Sequence, residues 1–172
     1  MLVDAHCHPF DLKNIFKESE QQRKDLGVLA VASACFPEDL IINDDSILPC
    51  FGIHPQLPAI YMANNDLDIE KKLNDHIQFL RNLTKEKKIA AIGECGFDLF
   101  NAAYKETEII QDRLFTEHLE IALQYNLPIV LHVRRAIHKI FTQTKTLSKC
   151  KSVIFHHGPA LMKKRFHFCG IK

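Results

Sequence analysis

Short apolar runs alternate with longer amphipathic stretches along this chain. Six runs rich in Val, Ile and Ala are typical of β-strands, and they cover residues 2–8, 28–36, 50–54, 89–94, 128–132 and 152–156. Several are almost continuously apolar, as expected for strands that are covered on both faces. The stretches 66–83 and 108–125 repeat apolar residues at helical spacing instead. This order of elements predicts a parallel α/β sheet.

Each predicted helix carries one apolar stripe. The first stripe consists of Leu67, Ile69, Leu73, Ile77 and Leu80. The second consists of Ile109, Leu114, Phe115, Leu119, Ala122 and Leu123. We expect the second helix to stop at Asn126 and Pro128, which are typical helix terminators.

Polar residues stand at the carboxyl ends of at least five predicted strands. They are His6, His8, His54, Glu94, His132 and His156. Side chains from so many strands meet at one centre only if the sheet curls into a barrel, and barrel enzymes place their chemistry at that face. An open sheet would gather its ligands at one switch point instead. The pattern therefore favours a parallel α/β barrel.

The composition is that of an ordinary soluble domain. The chain has 172 residues, of which 47% are hydrophobic and 25% charged, and these values exclude a disordered protein. We find no secretory signal, and the longest apolar run is too short to span a bilayer, so we expect a cytoplasmic protein without a membrane partner. The six cysteines lack C-x-x-C spacing, which favours buried reduced thiols over disulfides.

The charge is very unevenly distributed although its net value is only +1. Residues 121–172 contain ten Lys and Arg and no Asp or Glu, which leaves an excess of acidic groups in residues 1–120. Such a basic segment is typical of a surface that faces phosphate. It is equally consistent with the absence of acidic sequence that would normally follow, and the sequence leaves both interpretations open.

The first chemical motif is Asp4-Ala5-His6-Cys7-His8, and Pro9 ends the predicted strand that contains it. Side chains two residues apart on a strand project from the same face, so His6 and His8 point toward one spot. Two neutral imidazoles there form half of a metal site. The alternative is two unrelated histidines at the end of a strand.

Glu94 follows a buried strand and stands between Gly93 and Gly96. A carboxylate in this position is costly unless it has a partner, and glycines allow backbone or a ligand to come close. We interpret Glu94 as a metal ligand. The alternative is an exposed acidic residue on a loop.

Further histidines follow the later strands. His132 ends an apolar strand, and Arg134 projects from the same face, which suggests an anion nearby. An uncharged core histidine is the alternative for His132. His54 has no second ligand close in sequence, so we assign it to substrate contact or to support of a ligand. Only one of His156 and His157 can face inward, and the alternation does not choose between them.

Mixed imidazole and carboxylate ligands suit Zn, Mn, Co or Fe, and Mg when water completes the coordination. A carboxylate that bridges two ions, with histidines on either side, is typical of two-metal hydrolysis. Neither a Ser/His/Asp spacing nor a glycine-rich phosphate loop is present.

Five blocks of this sequence together resemble the TatD-type metal-dependent hydrolases, a family of amidohydrolase-like barrels. In order they are Asp4–His8, Gly52–Pro55, Ile92–Asp98, Asn126–Arg134 and Val153–His156. The most specific is Gly93-Glu94-Cys95-Gly96-Phe97-Asp98.

The resemblance implies a (β/α)8 TIM-type barrel that binds two divalent metal ions, Mg most often and Zn or Mn as alternatives. It implies deoxyribonuclease activity of the 3′-5′ type, with DNA as substrate. Carried over residue by residue, His6 and His8 would hold one metal, Glu94 would bridge, and His132 and His156 would complete the second site. Glu94 would also be catalytic, and His54 and Arg134 would contact the substrate.

The chain departs from the family pattern in its last part. His157-Gly158-Pro159 stands where the family has an aromatic residue and a small polar turn. The family's last metal ligand, an aspartate, has no counterpart. Because such a barrel needs roughly 250 residues, we expect residues 1–172 to form one domain that is incomplete at the C-terminus. It would hold about six of eight strands and self-associate through exposed sheet edges.

Two other functions stay open. A related binuclear enzyme would hydrolyse an amide or a lactone instead of DNA. A non-catalytic remnant would bind metal without activity.

Overall fold

Six parallel strands form one sheet in a computed structural model that describes residues 2–11, 16 and 18–157, with His157 described by its backbone alone. The strands are neighbours in chain order, and all pairs are parallel. They are β1 (Leu2–Cys7), β2 (Val28–Ala34), β3 (Ile47–Phe51), β4 (Ala91–Asp98), β5 (Ile129–Arg134) and β6 (Val153–His157).

Helices connect the strands, as parallel pairing requires. They are α1 (Ser19–Asp25), α2 (Leu57–Ala63), α3 (Ile69–Lys85), α4 (Ala102–Glu106), α5 (Glu108–Tyr125), α6 (Ile137–Thr142) and α7 (Thr144–Leu147), with a 3-10 turn at Pro37–Asp39. None of the helices in the described part of the chain is long and apolar enough to cross a membrane.

The sheet curls until its two edges approach each other. The ring centroids of His6 on β1 and His156 on β6 lie 3.6 Å apart, although these strands are the first and the last of the sheet. The described strands therefore form a nearly closed barrel with helices between them. This confirms the predicted α/β fold of the partial (β/α)8 TIM type.

The core lies between the strands and the long helices α3 and α5. Phe51, Ile92, Ile129 and Leu131 of the strands are fully buried, and all eight residues of β4 are buried. Leu73 and Leu80 of α3 and Leu114 and Phe115 of α5 are buried with them. Each such side chain stabilises the fold by about 1.5–3 kcal/mol relative to an exposed one.

Most predicted elements are found, but two predicted core residues are wrong. Helix α5 spans the predicted 108–125, and Asn126 ends it in the left-handed conformation. Leu67 precedes α3 and is 82% exposed. Ile109 is 83% exposed and lies in the first turn of α5, whose buried residues begin only at Gln111. Helical spacing alone does not show where along a helix the contact with the sheet begins.

Strands β3 and β4 differ most from their predicted ranges, whereas the other four differ by at most two residues at either end. β4 begins at Ala91 and continues four residues beyond Glu94, so this carboxylate lies within the strand and not behind it. β3 begins at Ile47 and includes Pro49, so His54 lies in the loop that follows. Proline argues against a strand because it lacks an N–H donor. Here its carbonyl still accepts a 2.7 Å hydrogen bond from the amide of Ala90.

The five described cysteines are free thiols, and Cys7, Cys50 and Cys95 are buried. Burial raises the pKa of Cys7 and Cys50 to about 12, which keeps both protonated and unreactive. Cys169 and the basic residues 163–165 and 172 of the sequence lie outside the described residues.

Candidate metal centre at the mouth of the barrel

Glu94 lies at the centre of a cluster of histidines at the carboxyl ends of the strands. Its side chain is only 3% exposed. One carboxylate oxygen, Oε2, lies 3.3 Å from Nε2 of His6 and 3.4 Å from Nε2 of His8. The other, Oε1, is close to three further ring nitrogens: Nδ1 of His132 at 2.7 Å, Nε2 of His54 at 3.6 Å and Nε2 of His156 at 3.8 Å.

The backbone next to Glu94 is crowded, which explains the glycines around it. Gly93 has a φ of +120°, a conformation that side chains with a Cβ rarely adopt, and its peptide bond to Glu94 is cis. A Cβ on Gly93 would overlap the carbonyl oxygen of Val130 on the neighbouring strand. A Cβ on Gly52 would lie 2.5 Å from the Cα of Gly93. The glycines therefore let three strands pack closely under the carboxylate.

Opposing influences set the charge of the cluster. Burial raises the pKa of the Glu94 carboxyl, but hydrogen bonds from four of the surrounding histidines outweigh this and hold the pKa far below its usual value. The hydrogen bond to Glu94 raises the pKa of His8. Burial lowers the pKa of His54 and of His156. Glu94 is therefore ionised, and burial favours the neutral, metal-binding form of His54 and His156.

Two groups of side chains have the geometry to hold a metal ion. Ligand atoms of His6, Glu94 and His156 all lie within 4.8 Å of one another, and so do those of His54, Glu94 and His132. Glu94 belongs to both groups, as a bridging carboxylate would. Nε2 of His8 lies 3.0 Å from Nε2 of His6 and 3.4 Å from Oε2 of Glu94, so His8 borders the first group. Ring nitrogens and one carboxylate that converge in this way fit divalent transition-metal ions.

The groups differ in membership from the sets expected from the sequence. His156 lies with His6, whereas the resemblance implied that it shares a site with His132. His54, expected at the substrate, lies 3.2 Å from Nδ1 of His132 within the cluster. The side chain of His157 lies outside the described part of the structure.

Ser33 orients both histidines of the first motif. Its carbonyl oxygen lies 2.9 Å from Nδ1 of His8, and its hydroxyl lies 3.1 Å from Nδ1 of His6. These contacts engage Nδ1 of each ring and leave Nε2 to face Glu94. Partners of this kind hold metal-binding histidines in place in known metal sites. Nothing in the sequence pattern singled out Ser33, because its partners are distant in sequence.

Asp98 is a second buried carboxylate of the site that the sequence analysis did not select. It is fully buried, and its Oδ2 lies 3.1 Å from Nε2 of His132. The amide of Gln56 donates to the same oxygen at 2.7 Å. A detectable signal was present, since residues four apart on one strand share a face, and Asp98 stands four residues after Glu94.

Arg134 lies at the rim of the cluster beside Asp98. Its Nη1 is 4.0 Å from Oδ2 of Asp98, and its side chain is 37% exposed. The guanidinium carbons of Arg134 and Arg135 lie 3.5 and 4.6 Å from the centroid of the Phe100 ring. A guanidinium stacked on a ring keeps its N–H donors free in the plane of the group, where they can bind an anion.

His118 of α5 supports the loop that carries His54. It is fully buried, and its Nε2 accepts a 2.9 Å hydrogen bond from the amide of Ile53. Its Nδ1 lies 2.6 Å from the carbonyl oxygen of Leu114, to which it donates. Burial lowers the pKa of His118 to about 4, so the ring is neutral and keeps the acceptor that Ile53 needs.

We expect His118 to make the protein less stable as the pH falls. Its pKa is about 4 in the folded protein and near 6.5 in the unfolded chain, so the contribution is full above pH 6.5 and is lost as the pH falls toward 4. The loss amounts to about 3 kcal/mol of unfolding free energy. Urea unfolding between pH 7 and 4 measures it. His118→Gln, which does not titrate, should flatten this slope, whereas His138→Gln on the exposed face of α6 should not.

Comparison with known proteins agrees with the fold and with a family of metal-dependent hydrolases. A family model described as TatD related DNase matches residues 3–169. The chain is 26% identical over 147 residues to the metal-dependent hydrolase YcfH of Escherichia coli K12, which covers 78% of this chain and 50% of that protein. It is 31% identical over 150 residues to the metal-dependent hydrolase MJ1582 of Methanocaldococcus jannaschii, which covers 83% and 55% respectively.

A solved structure has the same fold. The crystal structure of YjjV, a TatD homologue from Escherichia coli K12, superposes with a TM-score of 0.69 at 24% identity, over 92% of this chain and 61% of that one. The chain spans about half the length of the curated relatives it matches.

A barrel with a cluster of histidines and a carboxylate at its mouth places this chain among the metal-dependent hydrolase folds. Within that class, the match over residues 3–169 shows that the chain belongs to the family of TatD-related DNases.

Proposed function

We propose that this chain carries the metal centre of a divalent-metal-dependent hydrolase that cleaves phosphodiester bonds of DNA. The observation that supports this most is the ionised, buried Glu94 carboxylate with five imidazoles around it. In this proposal Glu94 bridges two ions. His6, His8 and His156 serve one ion, and His54 and His132 the other. The excess of nitrogen donors favours Mn²⁺ or Zn²⁺ over Mg²⁺.

Divalent ions at this place would polarise a phosphoryl oxygen and promote ionisation of an attacking water. The side chains of the protein do the remaining work. Glu94 stays ionised and supplies negative charge where cations bind. Asp98, held by Gln56, fixes the ring of His132 through Nε2. Ser33 fixes the ring of His8 through Nδ1.

The support for a phosphate substrate comes from the charges at the rim. Arg134 and Arg135 stack on Phe100 next to Asp98, where a phosphate beside the cleaved bond would lie. Lys139, another of the basic residues after position 120, is paired with Glu108 and Asp112 and is not free to bind phosphate. The support for a phosphate substrate therefore comes from Arg134 and Arg135, and not from the basic segment 121–172 as a whole.

Hydrolysis assays with added Mg²⁺, Mn²⁺ or Zn²⁺ test the proposed activity. We expect cleavage of single-stranded or double-stranded DNA oligonucleotides that depends on the metal and is lost with a chelator. A simple ester and a simple amide serve as competing substrates. Faster turnover of the ester or the amide than of DNA would point to the amidohydrolase alternative instead.

Replacement of Arg134 should weaken binding of DNA without removing the metal. We expect Arg134→Gln to raise KM for DNA by about tenfold, since one phosphate contact is lost. The slope of log KM against log salt concentration should fall by about one. Arg113→Gln is the matched control, because Arg113 is exposed on α5 and pairs with Glu70. An unchanged salt slope for Arg134→Gln would remove Arg134 from the DNA contact.

A further inference from the structure

A cavity of about 440 Å³ opens beside the histidine cluster, on the side of β1 to β3. His8, His54 and Glu94 form its wall toward the cluster. Its volume lies within the range of small-molecule sites. The cavity therefore continues directly from the proposed metal centre. A group bound in it would lie next to the bond of the substrate that is cleaved.

The rest of the cavity combines apolar rings with carboxylates. Phe10, Phe36, Leu57 and Ile60 supply apolar surface, and Phe10 is 41% exposed. Asp11 and Asp39 add two carboxylates to the lining. Burial and the neighbouring Asp11 raise the pKa of Asp39, as expected for acids close together in a partly closed space.

The two sides of the mouth have opposite charge. The cavity lies over β1 to β3 and presents Asp11 and Asp39, whereas Arg134 ends β5 and Arg135 follows it. A phosphate in the cavity would face two carboxylates, and like charges in contact are strongly disfavoured. A polyanionic substrate must therefore place its phosphates toward the arginines and an uncharged part in the cavity.

We propose that the cavity binds a nucleobase of the DNA strand, with the base ring against Phe36 and an exocyclic amino group of the base donating a hydrogen bond to the carboxylate of Asp39. The inference rests on the proposed function and deepens it by giving a position to the base. Aromatic side chains stack on bases of any sequence. Carboxylates accept from the exocyclic amino groups of cytosine and adenine, and thymine carries an oxygen in the matching place. The site therefore favours cytosine or adenine over thymine.

Binding of free deoxynucleosides tests the pocket without any need for catalysis. Ligand-observed NMR of the full chain with deoxycytidine, deoxyadenosine and thymidine measures it, with 2-deoxyribose as the ligand without a base. We expect deoxycytidine or deoxyadenosine to bind more tightly than thymidine, and no binding of the sugar. Phe36→Leu should weaken binding of all bases about tenfold. Asp39→Asn should reduce the preference over thymidine.

Matched controls are Phe141→Leu, at an exposed phenylalanine of α6, and Asp75→Asn, at an exposed acid of α3. Neither should change nucleoside binding. No detectable nucleoside binding by the unmodified chain would overturn the proposal, and so would equal affinities for Phe36→Leu, Asp39→Asn and the unmodified chain. Retained folding of each variant is checked by circular dichroism.

The pocket and the DNA hydrolase proposal can fail separately. If deoxynucleosides bind as expected but no DNA is cleaved, the pocket stands and the proposed activity fails. If DNA is cleaved, oligonucleotides with a terminal cytosine should show a lower KM than those with a terminal abasic residue. That difference should shrink in Phe36→Leu. Equal KM values for the two ends in the unmodified chain would overturn the pocket and leave the hydrolase.

Discussion

Glu94→Gln should abolish tight binding of divalent metal and, with it, all metal-dependent hydrolysis. The carboxylate is the only group that belongs to both candidate ligand sets in the described residues. Its oxygens also lie within 4 Å of a ring nitrogen of each of the five histidines. Loss of a residue that only supports a ligand lowers metal affinity by up to about 100-fold. Because Glu94 is proposed to be a ligand itself, we expect a larger loss of affinity. Equilibrium dialysis with elemental analysis measures the bound metal.

A matched acid on the surface separates this effect from a general change of charge. Glu120→Gln is suitable, because Glu120 is exposed on α5 and belongs to neither candidate ligand group. This control should bind metal as the unmodified chain does. Unchanged metal content in Glu94→Gln would show that Glu94 is not a ligand.

Gly93→Ala should destabilise the barrel and disturb the metal centre together. The new Cβ would overlap the carbonyl oxygen of Val130, and the φ of +120° is itself unfavourable for alanine. Strained backbone and forced overpacking each cost about 1–3 kcal/mol, so we expect a loss of about 3–5 kcal/mol in unfolding free energy. Urea denaturation measures the stability, and dialysis of the folded fraction measures metal binding.

Gly27→Ala provides the control for the left-handed backbone alone. Gly27 has a φ of +64°, but a Cβ there would meet no atom within 4 Å. We expect this variant to lose about 1 kcal/mol and to keep its metal affinity. If Gly93→Ala were no less stable than Gly27→Ala, the close packing of β4 against β5 would not hold Glu94 in place.

The strands were predictable because short apolar runs separated by helical stretches are typical of the buried strands of a parallel sheet. All six were found. Strands β2, β4 and β5 are largely buried and leave the continuous apolar signature of strands covered on both faces, whereas most of β1 is exposed. The range of β3 was not predictable, because Pro49 interrupts the pattern and only the structure shows that its carbonyl is paired. Ile109 shows a second limit, since this apolar residue is 83% exposed and the buried residues of α5 begin only at Gln111.

The site was predictable to the extent that its residues follow strands. His6, His8, Glu94 and His132 stand at or near the carboxyl ends of strands, and the structure brings them together. The curl of the barrel decides which histidines lie near Oε1 of Glu94 and which lie near Oε2. The alternation of side chains along one strand does not encode this. His156 accordingly lies next to His6, across the mouth.

The supporting residues were not predictable in the same way. His118 acts on the loop of His54 from a helix 65 residues further along the chain. The residues one helical turn away from His118 are apolar, as they are around an ordinary core position; they are Leu114, Phe115, Ile121 and Ala122. Asp98 was hidden because the predicted strand ended at Glu94, which made the aspartate appear to belong to a loop. The contacts of Ser33 and His118 depend on tertiary packing, so the sequence pattern of one element does not contain them.

The most direct test of the metal centre is a crystal structure of the full chain with Mn²⁺, with the ions located by anomalous scattering. We expect an anomalous peak within bonding distance of a Glu94 carboxylate oxygen and of at least two imidazoles from His6, His8, His54, His132 and His156. Ions bound only elsewhere, with Glu94 and these histidines free of metal, would contradict the account.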